Sequence, residues 1–325
     1  MLDPQAEPIL RRMTSGPPLN RLGVDGARQW ARDRGKPPLA DVAVHASDLR
    51  VPGWRADHDE VAVRLYRPVG TGWPAGHPGS GAAPLPALLY LHGGGWILGD
   101  LDSADWTCRQ LCALAGCAVV SVDYRLAPEH PYPAPLEDCL AVLRWTLAAG
   151  TQAGLDPARI AVAGESSGGQ LAASLCLAAR DEALGPVALQ LLVCPVTDSR
   201  MATSSWRELG QDYLPCAEQM SWMWDLYSGS PELRHAPLVS VAEAPDLAGL
   251  PPAILVTAEY DPLRDEADQY ATRLRTAGVP VSLHRYPGQV HTVFGCAPFV
   301  DSCWLALTEV AQEICRSVRQ KGKAQ

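Results

Sequence analysis

The chain has 325 residues, 47% hydrophobic and 19% charged, which suits a water-soluble globule large enough to bury a substantial core. A formal net charge of −9 argues against nucleic acid or an anionic membrane as partner, since both require a concentrated basic face. No apolar run approaches the roughly 18 residues of a membrane span. The N-terminal MLDPQAEPILRRM places acids where a signal peptide has bases, so a cytoplasmic location is expected. The ten cysteines lie in apolar stretches such as Leu175-Cys176-Leu177 and Val193-Cys194. Cys108 and Cys112 share one face of a predicted helix, and no CxxC pair or nearby His completes a metal site, so buried free thiols are expected.

Residues 1 to about 45 carry helical, Trp-bearing sequence without a strand pattern. Val61 to Arg67 alternates apolar and other residues and predicts a strand. Val69 to Pro86 is rich in Gly and Pro and predicts a long surface loop. Ala87 to Leu91 is a continuous apolar run, as expected of a strand buried on both faces. Beyond it, strands are predicted at Ala118 to Asp123, Ile160 to Ala163, Ala188 to Cys194, Ala253 to Thr257 and Val281 to Tyr286. Helices are predicted at Ser103 to Ala115, Pro135 to Ala149, Ser167 to Asp181, Pro262 to Ala277 and Pro298 to Arg319. This alternation predicts one α/β domain with a mostly parallel central sheet covered by helices on both faces. Residues 1 to about 45 and about 199 to 232 fall outside it. Together they are expected to form a helical cap over the carboxyl ends of the strands, where open α/β sheets bind ligands.

Gly164-Glu165-Ser166-Ser167-Gly168 is a G-x-S-x-G pentapeptide set between a short apolar strand and a helix. That setting holds the central serine on a sharp, exposed turn, with the helix N-terminus beside its oxygen. His92-Gly93-Gly94-Gly95-Trp96 follows the apolar strand that ends at Leu91. Acyl transfer builds negative charge on a carbonyl oxygen, and a glycine loop can turn backbone N–H groups toward it. Neither a P-loop lysine nor G-x-G-x-x-G accompanies these glycines, so phosphate binding is a poor reading. His92 itself is expected to be structural.

A serine hydroxyl needs a base that is oriented by a carboxylate. His291 lies in the loop after the last predicted strand, and Asp261 follows the strand before it; the order Ser166, Asp261, His291 is that of the α/β-hydrolase fold. Asp265 and Glu266 are alternative acids, although they fall at a predicted helix start where acids are favoured anyway. His45, His58, His77, His130, His235 and His284 read as structural or solvated.

From about Val61 to the end the sequence resembles the hormone-sensitive-lipase-like esterases, in particular their bacterial branch. The resemblance rests on HGGGW (92–96), DYRLAPEHPYPAP (123–135), GESSGG (164–169), LPPAILVTAEYDPLRDEA (250–267) and AGVPVSLHRYPGQVH (277–291). It implies an α/β-hydrolase fold, a Ser166–Asp261–His291 triad and an oxyanion hole made by the N–H groups of Gly93, Gly94 and Ser167. It also implies that the N-terminal residues belong to a cap. The chain departs from the family in carrying Glu165 where Asp is usual, Ser167 where a small residue such as Ala is usual, and Thr292-Val293-Phe294 after the histidine. None of these removes a catalytic group; they bear on the acyl pocket.

The expected activity is hydrolysis of short- to medium-chain acyl esters through an acyl-enzyme on Ser166, with no metal or organic cofactor. A small-molecule ester is the expected partner, and a homodimer is left open. An amide, N-acetyl or lactone substrate would use the same machinery, and a non-catalytic small-molecule receptor is a more remote alternative. Trp30, Trp206, Trp222 and Trp224 are candidates either for pocket walls or for gluing the cap to the body.

Overall fold

The computed structural model describes residues 1–33, 41–56, 58–70 and 83–320; most of the predicted Gly/Pro-rich loop, His77 included, lies outside the described residues. Among the described residues eight strands form one sheet in the order β1-β2-β4-β3-β5-β6-β7-β8. They are β1 (Val44–Val51), β2 (Val61–Pro68), β3 (Leu85–Leu91), β4 (Ala118–Asp123), β5 (Leu155–Glu165), β6 (Leu189–Val193), β7 (Ala253–Tyr260) and β8 (Val281–Val290). β1 and β2 pair antiparallel, as do β2 and β4, and every other pairing is parallel. This is the α/β-hydrolase architecture with a mostly parallel sheet.

Helices cover both faces, as crossovers between parallel strands require. α3 (Asp105–Ala115) and the C-terminal α10 (Asp301–Gln320) pack on one face. α4 (Ala134–Ala149), α5 (Ser167–Asp181) and α8 (Arg264–Thr276) pack on the other. β3 shows why its sequence is continuously apolar. Leu88 and Tyr90 belong to the α3/α10 layer, whereas Ala87, Leu89 and Leu91 belong to the α4/α5 layer, so alternate side chains are buried on opposite faces.

β1 was not among the predicted strands. It is an edge strand whose side chains are nearly all partly or fully exposed, so VHASDLRV carries no clean alternation for sequence to show. The N-terminal segment before it contains α1 (Ala6–Thr14) and α2 (Leu19–Asp33). The segment after β6 contains α6 (Ser204–Leu209) and α7 (Ala217–Ser228), and α9 (Val293–Cys296) lies between β8 and α10. α2 is fixed to the body by Arg28. Its guanidinium donates to the carbonyls of Ile97 (3.0 Å) and Ala127 (3.1 Å) and pairs with Glu129 (2.6 Å). The cysteines carry no disulfide, and eight of the ten are buried. Among the described residues no helix is long and apolar enough to cross a membrane.

The turn between β5 and α5 brings backbone directly against backbone. A Cβ on Gly164 would stand 2.1 Å from the Gly168 carbonyl oxygen, and one on Gly168 would stand 2.0 Å from that of Leu91. Strand β5, helix α5 and strand β3 therefore meet where only hydrogen fits. Gly168→Ala should lower stability by at least the roughly 1–3 kcal/mol typical of overpacking. At Gly150, with φ −58° and its nearest Cβ contact at 3.4 Å, alanine should be neutral or slightly stabilising. Urea unfolding midpoints of the two variants check the contrast.

Candidate active site

Ser166 occupies the turn itself, with φ 59° and ψ −121°, a conformation that costs a non-glycine residue about 1–3 kcal/mol. Its backbone is held from several sides. The N–H donates to the Val193 carbonyl (2.8 Å), and its carbonyl accepts from Gln170 (3.1 Å) and Val196 (3.2 Å). The side chain is thereby presented above the carboxyl end of the sheet, at the start of α5.

His291 and Asp261 reach the same point from the ends of β8 and β7. His291 Nε2 lies 2.9 Å from Ser166 Oγ, and Nδ1 lies 2.8 Å from Asp261 Oδ2. Asp261 is buried, and its other carboxylate oxygen accepts from the Leu263 N–H at 2.9 Å. With Nδ1–H donated to the carboxylate, the lone pair of Nε2 faces the serine hydroxyl. Burial pushes the His291 pKa down, but the charge and hydrogen bond of Asp261, followed by the charge of Glu165, outweigh it. The net shift is upward from the ordinary 6.5. Asp265 and Glu266, the alternative acids, are engaged elsewhere. Asp265 accepts from the Ser205 N–H (2.8 Å), and Glu266 accepts from Thr197 N–H (2.7 Å) and Trp206 Nε1–H (2.7 Å).

The glycine loop passes directly beside the serine: a Cβ on Gly93 would lie 3.0 Å from the Glu165 carbonyl and 3.4 Å from Ser166 Cβ. The N–H groups of Gly93, Gly94 and Ser167 have no hydrogen-bond partner among the described residues. Three donors next to a serine hydroxyl can accept an oxyanion. His92 is buried and stacks on Tyr124 with ring centroids 4.2 Å apart, and burial lowers its pKa. The other described histidines lie away from this centre. His284 on β8 pairs with Glu313 (2.9 Å), and His235 contacts Ser199 Oγ (2.9 Å).

Two contributions were not legible as such. Glu165, noted in the sequence only as a departure, is buried beneath the histidine loop, where its Oε1 accepts from the Phe294 N–H at 3.0 Å. Burial raises its pKa to about 6, against the opposing pull of His291 and the N–H groups of Phe294 and Gly295. The carboxylate thus ties the end of β5 to α9, directly after His291. Cys194, just after β6, lies with Asp261 and His291 in a buried group whose thiol, carboxylate and imidazole approach within 4.8 Å of one another.

A cavity of about 810 Å³ opens over Ser166. Ile9 and Met13 of α1, Leu19 and Trp30 of α2, and Met220 and Met223 of α7 line its outer part. Of the four tryptophans singled out, Trp30 alone lines this cavity. Trp206 is bonded to Glu266, Trp224 packs on Trp96 at 4.5 Å, and Trp222 packs against the core. Trp106 of α3 is a lining residue that sequence missed, because it reads as part of a core helix face.

Fold and site together define a serine hydrolase. The family model described as alpha/beta hydrolase fold matches residues 88–295, and the chain belongs to that family, in its hormone-sensitive-lipase-like branch. The chain is 38% identical to Esterase LipI of Mycobacterium tuberculosis over 92% of its length and 91% of that protein. It is 35% identical to an ethyl acetate hydrolase of Pseudomonas putida, covering 91% of each. Among solved structures it is similar to a thermostable esterase from Pseudomonas putida, with a TM-score of 0.89 and 29% identity over 98% of both chains. It is also similar to the ester-hydrolase EH1AB1 from the metagenome of Lake Arreo, with a TM-score of 0.88 and 35% identity over 97% of this chain and 99% of that one.

The balance at His291 is open to direct measurement. In an NMR titration the ring should titrate above the ordinary 6.5, as the net shift requires. In Asp261→Asn the main opposing charge is gone and burial should dominate, so the titration should move below the native value. A histidine that titrates identically in the two proteins would contradict the balance.

Proposed function

We propose that this protein is a carboxylesterase that hydrolyses short- to medium-chain acyl esters, with Ser166, His291 and Asp261 as nucleophile, base and orienting acid. The observation that carries the reading is the continuous hydrogen-bond chain from Ser166 Oγ through the His291 ring to Asp261, at 2.9 and 2.8 Å. The esterase relatives, matched over nearly their whole length, support the choice of an ester as substrate.

In the first step His291 Nε2 takes the Ser166 proton as the serine oxygen attacks the ester carbonyl. The N–H groups of Gly93, Gly94 and Ser167 hold the resulting oxyanion, and Asp261 stabilises the imidazolium. The imidazolium then protonates the departing alcohol. Water, deprotonated by the same ring, attacks the acyl-enzyme and releases the acid. Ser167 acts through its backbone alone, so its hydroxyl is dispensable. Glu165, bonded to the backbone just after His291, is a positioning residue for that ring.

We assign residues 1 to about 45 and about 199 to 232 as a cap on one α/β-hydrolase domain spanning 1–325. The outer wall of the cavity, which comes from α1, α2 and α7, supports this assignment. A volume of about 810 Å³ suits a substrate of modest size. A cytoplasmic setting accords with ten cysteines that carry no disulfide. The state of association is left open.

Ser166→Ala should reduce kcat on p-nitrophenyl butanoate by roughly 10⁴- to 10⁶-fold, as loss of a nucleophile does in other serine hydrolases. Ser167→Ala should retain most of the native rate; equal losses in the two would contradict the assignment. The base must be neutral to accept the proton, so kcat/KM should be full above the His291 pKa and fall below it with unit logarithmic slope. Because that pKa is raised, the midpoint should lie above 6.5. A pH profile of kcat/KM under conditions where chemistry is rate-limiting checks both the slope and the midpoint.

A further inference from the structure

The lining of the cavity is mainly apolar, but on the side nearest α3 it contains three polar side chains, each at least nine-tenths buried. Tyr90 on β3 is 2% exposed, Thr107 on α3 is 6% exposed and Glu165 at the end of β5 is 8% exposed. The hydroxyls of Tyr90 and Thr107 have no hydrogen-bond partner among the described residues. Neither belongs with the sealed, unpaired polar atoms of the interior, such as the Tyr227 and Tyr270 hydroxyls, so both are open to the cavity. Burial, and then the neighbouring Glu165 charge, keep the Tyr90 phenol protonated and able to donate. Glu165 spends one oxygen on the Phe294 N–H and retains acceptor capacity. Trp106 and Phe299 line the cavity alongside them.

β3, α3 and the end of β5 thus each bring one polar group to the wall of the cavity that opens over Ser166. A purely alkyl chain placed there would strip water from all three groups and return nothing, a penalty that polar sites exact from unmatched ligands. We propose that this lobe is a polar subsite selecting esters that carry a hydroxyl a few bonds from the ester group. The substrate hydroxyl donates to the Glu165 carboxylate and accepts from the Tyr90 or Thr107 hydroxyl. The assignment deepens the carboxylesterase reading and rests on it.

The test compares kcat/KM within pairs of esters that differ by a methyl replaced with a hydroxyl. Ethyl 3-methylbutanoate against ethyl 3-hydroxybutanoate probes the acyl side, and propyl butanoate against 2-hydroxyethyl butanoate probes the alcohol side. In at least one pair the hydroxyl member should be favoured roughly tenfold, the scale of one buried hydrogen bond. Tyr90→Phe and Thr107→Val, separately and together, should reduce that preference to about twofold or less. Turnover of the methyl member, which also reports correct folding, should stay near the native level. Hydrolysis of the methyl members without any hydroxyl preference in the native enzyme would overturn the subsite and leave the esterase reading standing. A preference that survives in every folded variant would also overturn it. Failure to hydrolyse any of the four esters would overturn the esterase reading, and the subsite with it.

Discussion

The structure depends on one close approach, where the end of β5 turns into α5 against the carbonyl of Leu91 on β3. Glycines at 164 and 168 let the backbones touch, and Ser166 between them adopts φ 59°. The strain is offset locally by hydrogen bonds to Val193 of β6, Gln170 of α5 and Val196 in the loop after β6. Because β3 leads straight into the glycine loop, the same contact brings the N–H groups of Gly93 and Gly94 beside the serine. A looser turn would displace Ser166 from the glycine loop and from His291 together.

Around that turn the chemistry depends on a balance of buried charge. Asp261, Glu165 and His291 are all buried, and an isolated charge in such a place would be neutralised by a shift in pKa. Asp261 is held by a backbone N–H and the imidazole, and its field is strong enough to reverse the effect of burial on the histidine. Glu165 is bonded to the Phe294 N–H, but burial outweighs that bond and moves its pKa up to about 6. The two carboxylates therefore divide the work. One is bonded to the imidazole, while the other is bonded to the backbone just after it and borders the cavity.

The parts of this arrangement that sequence reveals are those in which residue type and chain order are both constrained. The pentapeptide around Ser166 and the glycine run at 93–95 were legible because backbone contact admits little else there. Asp261 and His291 were legible because each follows a strand and the order of the three groups matches the fold. β1 was not legible, since an exposed edge strand has no buried face to pattern. The lining of the cavity was not legible for the opposite reason. Tyr90 sits in an apolar strand and Thr107 in a core-facing helix, so their hydroxyls read as incidental to packing. Only the path of α1, α2 and α7 over the sheet shows that a cavity stands in front of them. For Trp206 and Trp224 sequence left pocket wall and packing glue open, and both are committed to packing, against Glu266 and Trp96.

On the proposed reading Ser166, and no other hydroxyl, is acylated, because the β5–α5 turn presents it to His291. The most direct measurement is peptide mapping by mass spectrometry of the native protein after reaction with a fluorophosphonate. A single adduct on Ser166 is expected, formed as activity is lost, with no adduct in folded His291→Gln on the same timescale. An adduct on the Ser167 hydroxyl, or ester turnover that persists with Ser166 unlabelled, would contradict it.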